Sequence, residues 1–342
     1  MAEERDYKKL IEDEKAQRET SGLHGRMDAD AALVELKKFA LQDVNEKDVP
    51  NSVSITLNDP AVFAANVEAS LGGATEQVVV ESEDKNLDTA YIEDFIRAAF
   101  AAANSRLIRQ DRFPFNPYID QQMCRRGGGG ARCLFRIDKK TGILIPDIVP
   151  WDRRYTYYKV GENGVAWICY ETTRLLGLVK EQYPKADISG EDSDEATVWD
   201  IFDEKHNEIW IDEKWAVSQK YQHPYDCTPV ALQMVPMGSM LADKGSQAGR
   251  GESIFFLIRD LSPELNRLVS IIQSLNMKAL DNALLWKSKF GVEATKDQVP
   301  KYDALTKPGA VTATDIGGGA EPVAYGDLKR SAWLLHSMIE TR

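Results

Sequence analysis

The chain is 342 residues long with 43% hydrophobic residues, room for two ordinary domains with apolar cores, which excludes an intrinsically disordered protein. Lys and Arg number 42 against 54 Asp and Glu, and the formal net charge of -12 excludes a protein that grips nucleic acid by neutralising phosphates. It does not exclude a conduit, because an acidic wall keeps a polyanion from sticking.

In chain order, the first twenty residues are a run of Glu, Arg, Asp and Lys with no apolar core, so no secretory signal is read there. No later stretch reaches membrane-spanning length. The expectation is a protein that begins in a cytoplasm. Ala31, Leu33, Val34, Leu36, Ala40 and Leu41 recur at near-helical spacing over 28–42, so two helices are expected in the first forty residues. Residues 53–57 alternate as a short strand, and the Leu71-Gly72-Gly73 turn before Val78-Val79-Val80 predicts a small irregular sheet. A helix follows over 88–109, where Ile92, Phe95, Ile96, Ala99, Phe100, Ala103 and Leu107 form one apolar stripe.

From 131 the pattern turns to β. Residues 133–137 and 143–145, around a turn at 139–142, read as a hairpin, with further strands at 155–160, 166–172, 197–202 and 208–211. The Asp, Glu, Ser and Gly of 187–195 read as a solvated loop between strands. The glycine-rich stretch 238–251 marks a domain change. Beyond it, Ser262 is placed to cap a helix with Pro263 at its first position, running to about Trp286. Leu265, Leu268, Val269, Ile272, Leu275, Ala279, Leu280 and Ala283 line its apolar face, and the rod is roughly 35 Å long. The opposite face carries Asn266, Ser270, Gln273, Ser274, Asn276 and Asn282, which suits close packing against other helices better than full solvation. Pro300, Pro308, the Gly317-Gly318-Gly319 run and Pro322 then punctuate a compact mixed element with a brief strand at 310–314, and Asp327 caps a last helix through Leu328, Ala332, Leu335 and Ile339.

Several residues invite chemistry. Cys124-Arg125-Arg126 ahead of Gly127 to Gly130 could cradle an anion, but it lacks the Gly-Lys-Ser/Thr ending of a nucleotide loop, so a flexible turn before a strand is favoured. Cys124 and Cys133 have no second Cys or His pair at zinc-finger spacing, and with Cys169 and Cys227 they are read as reduced thiols, with no metal predicted. His24, His206, His223 and His336 lie in no nucleophile or base motif. Asp200, Asp203, Glu204, Glu208, Asp212 and Glu213 could serve a metal-dependent hydrolase or nuclease on the β-rich region, which stands as the alternative function, although alternation on a strand pair explains them more cheaply.

The order helix, small β-containing insert, returning helix, preceded by a larger α+β region, is similar to the stem, clip and stem of phage portal proteins. Gly251-Glu252-Ser253 followed by Asp260-Leu261-Ser262-Pro263-Glu264-Leu265-Asn266-Arg267-Leu268 resembles the family's lead into its first stem helix. Lys307-Pro308-Gly309-Ala310-Val311 resembles the clip strand, with Gly317-Gly318-Gly319 and Glu321-Pro322-Val323 after it. Ile148-Val149-Pro150-Trp151-Asp152-Arg153-Arg154, Gly164-Val165-Ala166-Trp167 and Thr172-Thr173-Arg174 look like the wing β region. The likeness covers about 132–342; none of these short motifs is specific alone.

The resemblance implies an α+β portal fold: a wing over 1–250, a first stem helix region over 251–288, a clip over 289–325 and the start of a second stem helix over 326–342, with the tunnel loop and crown of the family beyond this sequence. It implies a ring, typically dodecameric, at one capsid vertex of the virion, assembled in the host cytoplasm. Double-stranded DNA would pass through the channel without sequence specificity. Terminase large subunit, head completion or tail adaptor proteins, and the major capsid or scaffolding protein would be its partners. Phe290, Tyr302, Pro308 and Val311 would meet terminase or adaptor, with filling of the clip's own core the plain alternative for the two aromatics. Lys278 and Lys287 would face the channel, with a solvated helix face as the alternative. No catalysis and no cofactor are implied; those belong to the terminase.

Overall fold

The computed structural model describes residues 6–74, 77–84, 86–138, 141–162, 164–184, 186, 188–212, 214–215, 221–238, 251–280, 284–287, 319–322, 333 and 336–337. Helices and antiparallel sheets make it an α+β protein, and it divides into two units, Met1–Glu35 with Asn58–Arg259 and Leu36–Leu57 with Asp260–Arg342. The second division falls near the boundary expected around 250; that Leu36–Leu57 joins the C-terminal part is not visible in composition.

In the first unit, α1 (Tyr7–Thr20) starts at Asp6, whose carboxylate accepts the Lys9 N–H, and α2 (Leu23–Val34) follows a left-handed Gly22. The helix expected over 28–42 is corrected: it lies earlier and stops where Leu36 takes φ 52°, a conformation no helix continues through. α3 (Asp59–Gly72) uses the Leu71-Gly72 pair as its last turn, and no strand forms at Val78 to Val80; the Val80 N–H goes instead to the Glu93 carboxylate. α4 (Thr89–Arg109) is capped by Asp88 and matches the expected helix, burying Ala99, Ala103 and Leu107. α5 (Phe115–Arg126) ends on Gly127 in the left-handed region.

Glycine 127 alone makes the turn. Gly128, Gly129 and Gly130 are buried and begin β1 (Gly128–Ile137), so the glycine run is mostly strand rather than flexible turn. A side chain at Gly130 would meet Leu232 Cδ2 at 2.7 Å across the ladder, and one at Gly127 would overlap the Gly251 carbonyl. β1 pairs with β2 (Leu144–Trp151) in the expected hairpin, with Ile137 opposite Leu144. Its other edge pairs with a strand at Val230–Met234, here β9, giving the order β2-β1-β9.

A short 3-10 turn at Arg153–Tyr155 leads to a larger antiparallel sheet of β3 (Thr156–Gly161), β4 (Gly164–Leu175), β5 (Glu195–Asp203), β6 (His206–Ile211) and β7 (Lys214–Trp215), in that order, with β8 (Tyr221–Gln222) also on β6. These are the strands expected at 155–160, 166–172, 197–202 and 208–211. The helix α6 (Leu176–Gln182) between β4 and β5 spans seven residues, too few for a helical period to show. Alternation along β4 and β5 sends Trp167, Cys169, Trp199 and Ile201 to one face, under Tyr7 and Ile11 of α1. Ile168 and Phe202 go to the other, where with Trp151 and Val230 they join the larger sheet to the smaller.

The segment 251–259 is built into this unit by buried charge. Arg153, 6% exposed, donates through Nη1 to the carbonyls of Arg126, Gly127 and Gly251 at 2.8 Å each, and burial lowers its pKa to about 10. Glu252 pairs with Arg26 and Arg259, and Arg259 also forks onto Asp30, which accepts Ser253 Oγ. Arg26, Asp30, Glu252 and Arg259 each have an opposite partner, the condition under which burial of ions is tolerated, while Arg153 is satisfied by backbone carbonyls. Gly251, Glu252 and Ser253, the motif that led the family resemblance, are thus residues of the first unit's interior.

In the second unit, α7 (Leu261–Leu280) is followed by β10 (Leu284–Lys287), which pairs antiparallel with β11 (Gly319–Pro322). The helix expected to run to Trp286 therefore ends earlier. Residues 284–287 gain a backbone ladder with 319–322, and such tertiary pairing overrides a helical pattern worth only tenths of a kcal/mol per residue.

Candidate functional site

Two arrangements have functional interest, one in each unit. In the second unit the polar stripe of α7 has a use that spacing did not disclose. Asn266, Ser270 and Ser274, each four residues apart, lie on one helix face and are 7%, 0% and 8% exposed. Their side chains accept the N–H groups of Leu57, Ile55 and Val53, at 2.9 Å in each case. The strand expected at 53–57 does not form; the partner of these residues is a row of helix side chains. The reverse edge is held too, since Ser54 Oγ and Thr56 Oγ1 accept the N–H groups of Leu41 and Phe39. The face expected to pack against other helices thus holds a segment of its own chain. The apolar stripe of the same helix is less protected: Leu261 is 41% exposed and Leu265, Leu268, Val269 and Ile272 are half-buried.

Of the residues singled out from sequence, Lys278 is on α7. Lys287 is not on that helix; it stands on β10 opposite Gly319, a correction that follows from the strand pairing. Phe290, Tyr302, Pro308 and Val311, the strand expected at 310–314 and Asn282 lie outside the described residues.

In the first unit, a cleft of about 1110 Å3 opens between the two sheets. Arg132, Leu134 and Arg136 alternate along β1, so period two sends both guanidinium groups to one face, and Arg106 and Arg112 come from the end of α4 and the loop after it. Arg174 on β4 completes five arginines. Asp147, only 1% exposed, takes three of them: Oδ1 accepts Arg106 at 2.7 Å, and Oδ2 accepts Arg132 at 3.1 Å and Arg136 at 2.7 Å. Arg132 reaches on to Asp200 Oδ2 at 2.8 Å, linking the sheets, and its Nε has no partner among the described residues.

Five arginines face two carboxylates, Asp147 and Asp200, an excess of three positive charges in a chain of net charge -12. Arg174 bonds only neutral groups, Thr172 Oγ1 and the Gln182 side chain, and the exposed Arg112 side chain has no hydrogen bond or ion pair among the described residues. Comparison with protein-family models and with curated proteins gives no match for this chain. The site therefore has to be read from its own chemistry.

The carboxylates proposed for hydrolysis do not converge. Asp200 is engaged by Arg132 and Asn207, whereas Asp203, three residues along the strand and so on the opposite face, accepts Tyr7 Oη at 2.6 Å and the N–H groups of Lys205 and His206. Among the described residues no group of three or more His, Cys, Asp or Glu is placed to hold a metal ion. Arg125 forks onto Glu68, and Arg126 donates to the Met27 carbonyl, so the arginines beside the glycine run are engaged. Burial raises the Cys124 thiol to about 11 and the Cys133 thiol as well, which makes both less reactive. The arginine cleft was legible in principle: Arg132 and Arg136 share a strand face, and only the partner surface from α4 and β4 was hidden.

Proposed function

We propose that the chain is a subunit of a phage portal, a ring at one capsid vertex through which double-stranded DNA is packaged and ejected. The observation that carries this reading is the two-stranded neck. β10 begins four residues after the last residue of α7 in the sequence, and its pairing with β11 sets Lys287 opposite Gly319, so the chain leaves and re-enters the described structure at one place. Such an arrangement fits a clip between stem segments, the place for terminase and adaptor contacts. The half-exposed apolar stripe of α7 supports the same reading, because a ring of side-by-side helices would cover it. The chain's negative charge suits a wall along which a polyanion slides. In this reading the protein is a structural part of the virion, without catalysis of its own.

Electron microscopy and native mass spectrometry of the purified chain test the proposal. Rings of about a dozen copies with a central hole are the expected result. A monomer at tens of micromolar protein, with no larger species, would overturn it.

A further inference from the structure

The arginine cleft lies on an unfinished strand edge. β3 pairs with β4 only as far as Thr156 opposite Tyr170, because the 3-10 turn at Arg153–Tyr155 carries the chain away. Beyond that point β4 continues, Glu171 opposite Trp199 through Leu175 opposite Glu195, with β5 on one side. On its other side no backbone hydrogen bond to another segment is made by residues 171–175 among the described residues.

Thr172, Thr173, Arg174 and Leu175 all line the cleft. Side chains of successive strand residues point to opposite faces, so a cleft bordered by four in a row opens onto the strand's edge rather than onto one face of the sheet. Two independent features therefore meet there: a row of unsatisfied N–H and C=O groups, and an excess of guanidinium charge. The lining also includes apolar side chains, among them Leu134, Val149, Leu178 and Ile209, together with aromatic rings such as Phe135 and Tyr183.

We infer that this cleft binds an extended acidic peptide segment of a partner protein, which adds as a strand along β4 residues 171–175 and sets its carboxylates against Arg112 and Arg174. Strand addition takes affinity from main-chain hydrogen bonds and specificity from alternate side chains, and both elements are present. Acidic side chains on one face of the added strand would meet the arginines, and apolar ones on the other would meet the leucine and valine surface. A nucleic acid strand would match the arginines and meet rings such as Phe135 and Tyr183, but it has no amide backbone to complete the strand edge.

The test is fluorescence anisotropy of the whole chain with labelled peptides of about nine residues, enough to span the open edge at about 3.3 Å per residue. The probes are alternating Glu-Val, the same peptide N-methylated at alternate residues, alternating Lys-Val, and an oligothymidylate of equal length. Saturable binding is expected for Glu-Val alone, weakening at least about tenfold in Arg112→Gln/Arg174→Gln. Neither arginine is in an ion pair, so the fold is expected to survive; Arg112→Gln alone, at an exposed loop position, gives the same direction of change if the double variant does not. Absence of Glu-Val binding, equal binding of the N-methylated peptide, or tighter binding of oligothymidylate that the same variants abolish, would each overturn the inference.

Discussion

Replacing Ser270 by Ala isolates the contact between α7 and residues 53–57. The hydroxyl is fully buried and accepts the Ile55 N–H at 2.9 Å. Its removal leaves a backbone donor without a partner in a place that water reaches poorly, at a cost of about 1–3 kcal/mol. Alanine is the better helix former by about 0.5 kcal/mol, which offsets part of the loss. The net destabilisation of this unit is therefore roughly 0.5–2.5 kcal/mol. Amide hydrogen exchange resolves it by residue: Ile55 should exchange about 2- to 70-fold faster, with Val53 and Leu57 following because they share the segment. Gln273→Ala on the same helix, exposed, is the control and should leave these amides unchanged. An Ile55 exchange rate in Ser270→Ala equal to that of the parent protein would refute the argument that the polar stripe holds residues 53–57.

Three further outcomes are expected. Gly127→Ala forces a Cβ into the Gly251 carbonyl at φ +67° and should lower stability by more than about 3 kcal/mol, read as a loss of melting temperature; a change below about 1 kcal/mol would sink the proposed close approach. His24, 5% exposed, has its pKa lowered to about 4 by burial and then by Arg154 and Arg18. The unfolded chain takes up that proton first, so stability is full above about pH 6.5 and falls towards pH 4, by at most roughly 3 kcal/mol; His24→Leu should flatten that part of a stability-against-pH curve, and an unchanged slope would count against it. Asp147→Ala removes the buried carboxylate shared by Arg106, Arg132 and Arg136, leaving Arg132 only Asp200, and should cost on the order of 2 kcal/mol by chemical denaturation, whereas Arg136→Ala, at a side chain 55% exposed, should cost under about 1 kcal/mol; equal costs would contradict the assignment of Asp147 as the buried anchor.

The sequence by itself determined several local elements of the first unit. The apolar period over α4, the turn between β1 and β2 and the alternation over β3 to β6 are short-range patterns that appear near where period 3.6 or 2 placed them, whereas β1 begins at Gly128 inside the glycine run. Tertiary structure decided what depends on residues distant in the chain. Leu36 in the left-handed region ends a helix that apolar spacing would have continued, and Lys287 becomes a strand residue only because 319–322 lies beside it. Asn266, Ser270 and Ser274 read as a generic polar face until the N–H groups of Val53, Ile55 and Leu57 arrive from some two hundred residues away. The arginine cleft is the same case: Arg132 and Arg136 announce a charged strand face and the hairpin brings Asp147, but Asp200, Arg174 and the open edge of β4 are brought to it by pairings that no local pattern encodes, because hydrogen-bond ladders and buried charge are satisfied by whichever partner the fold delivers.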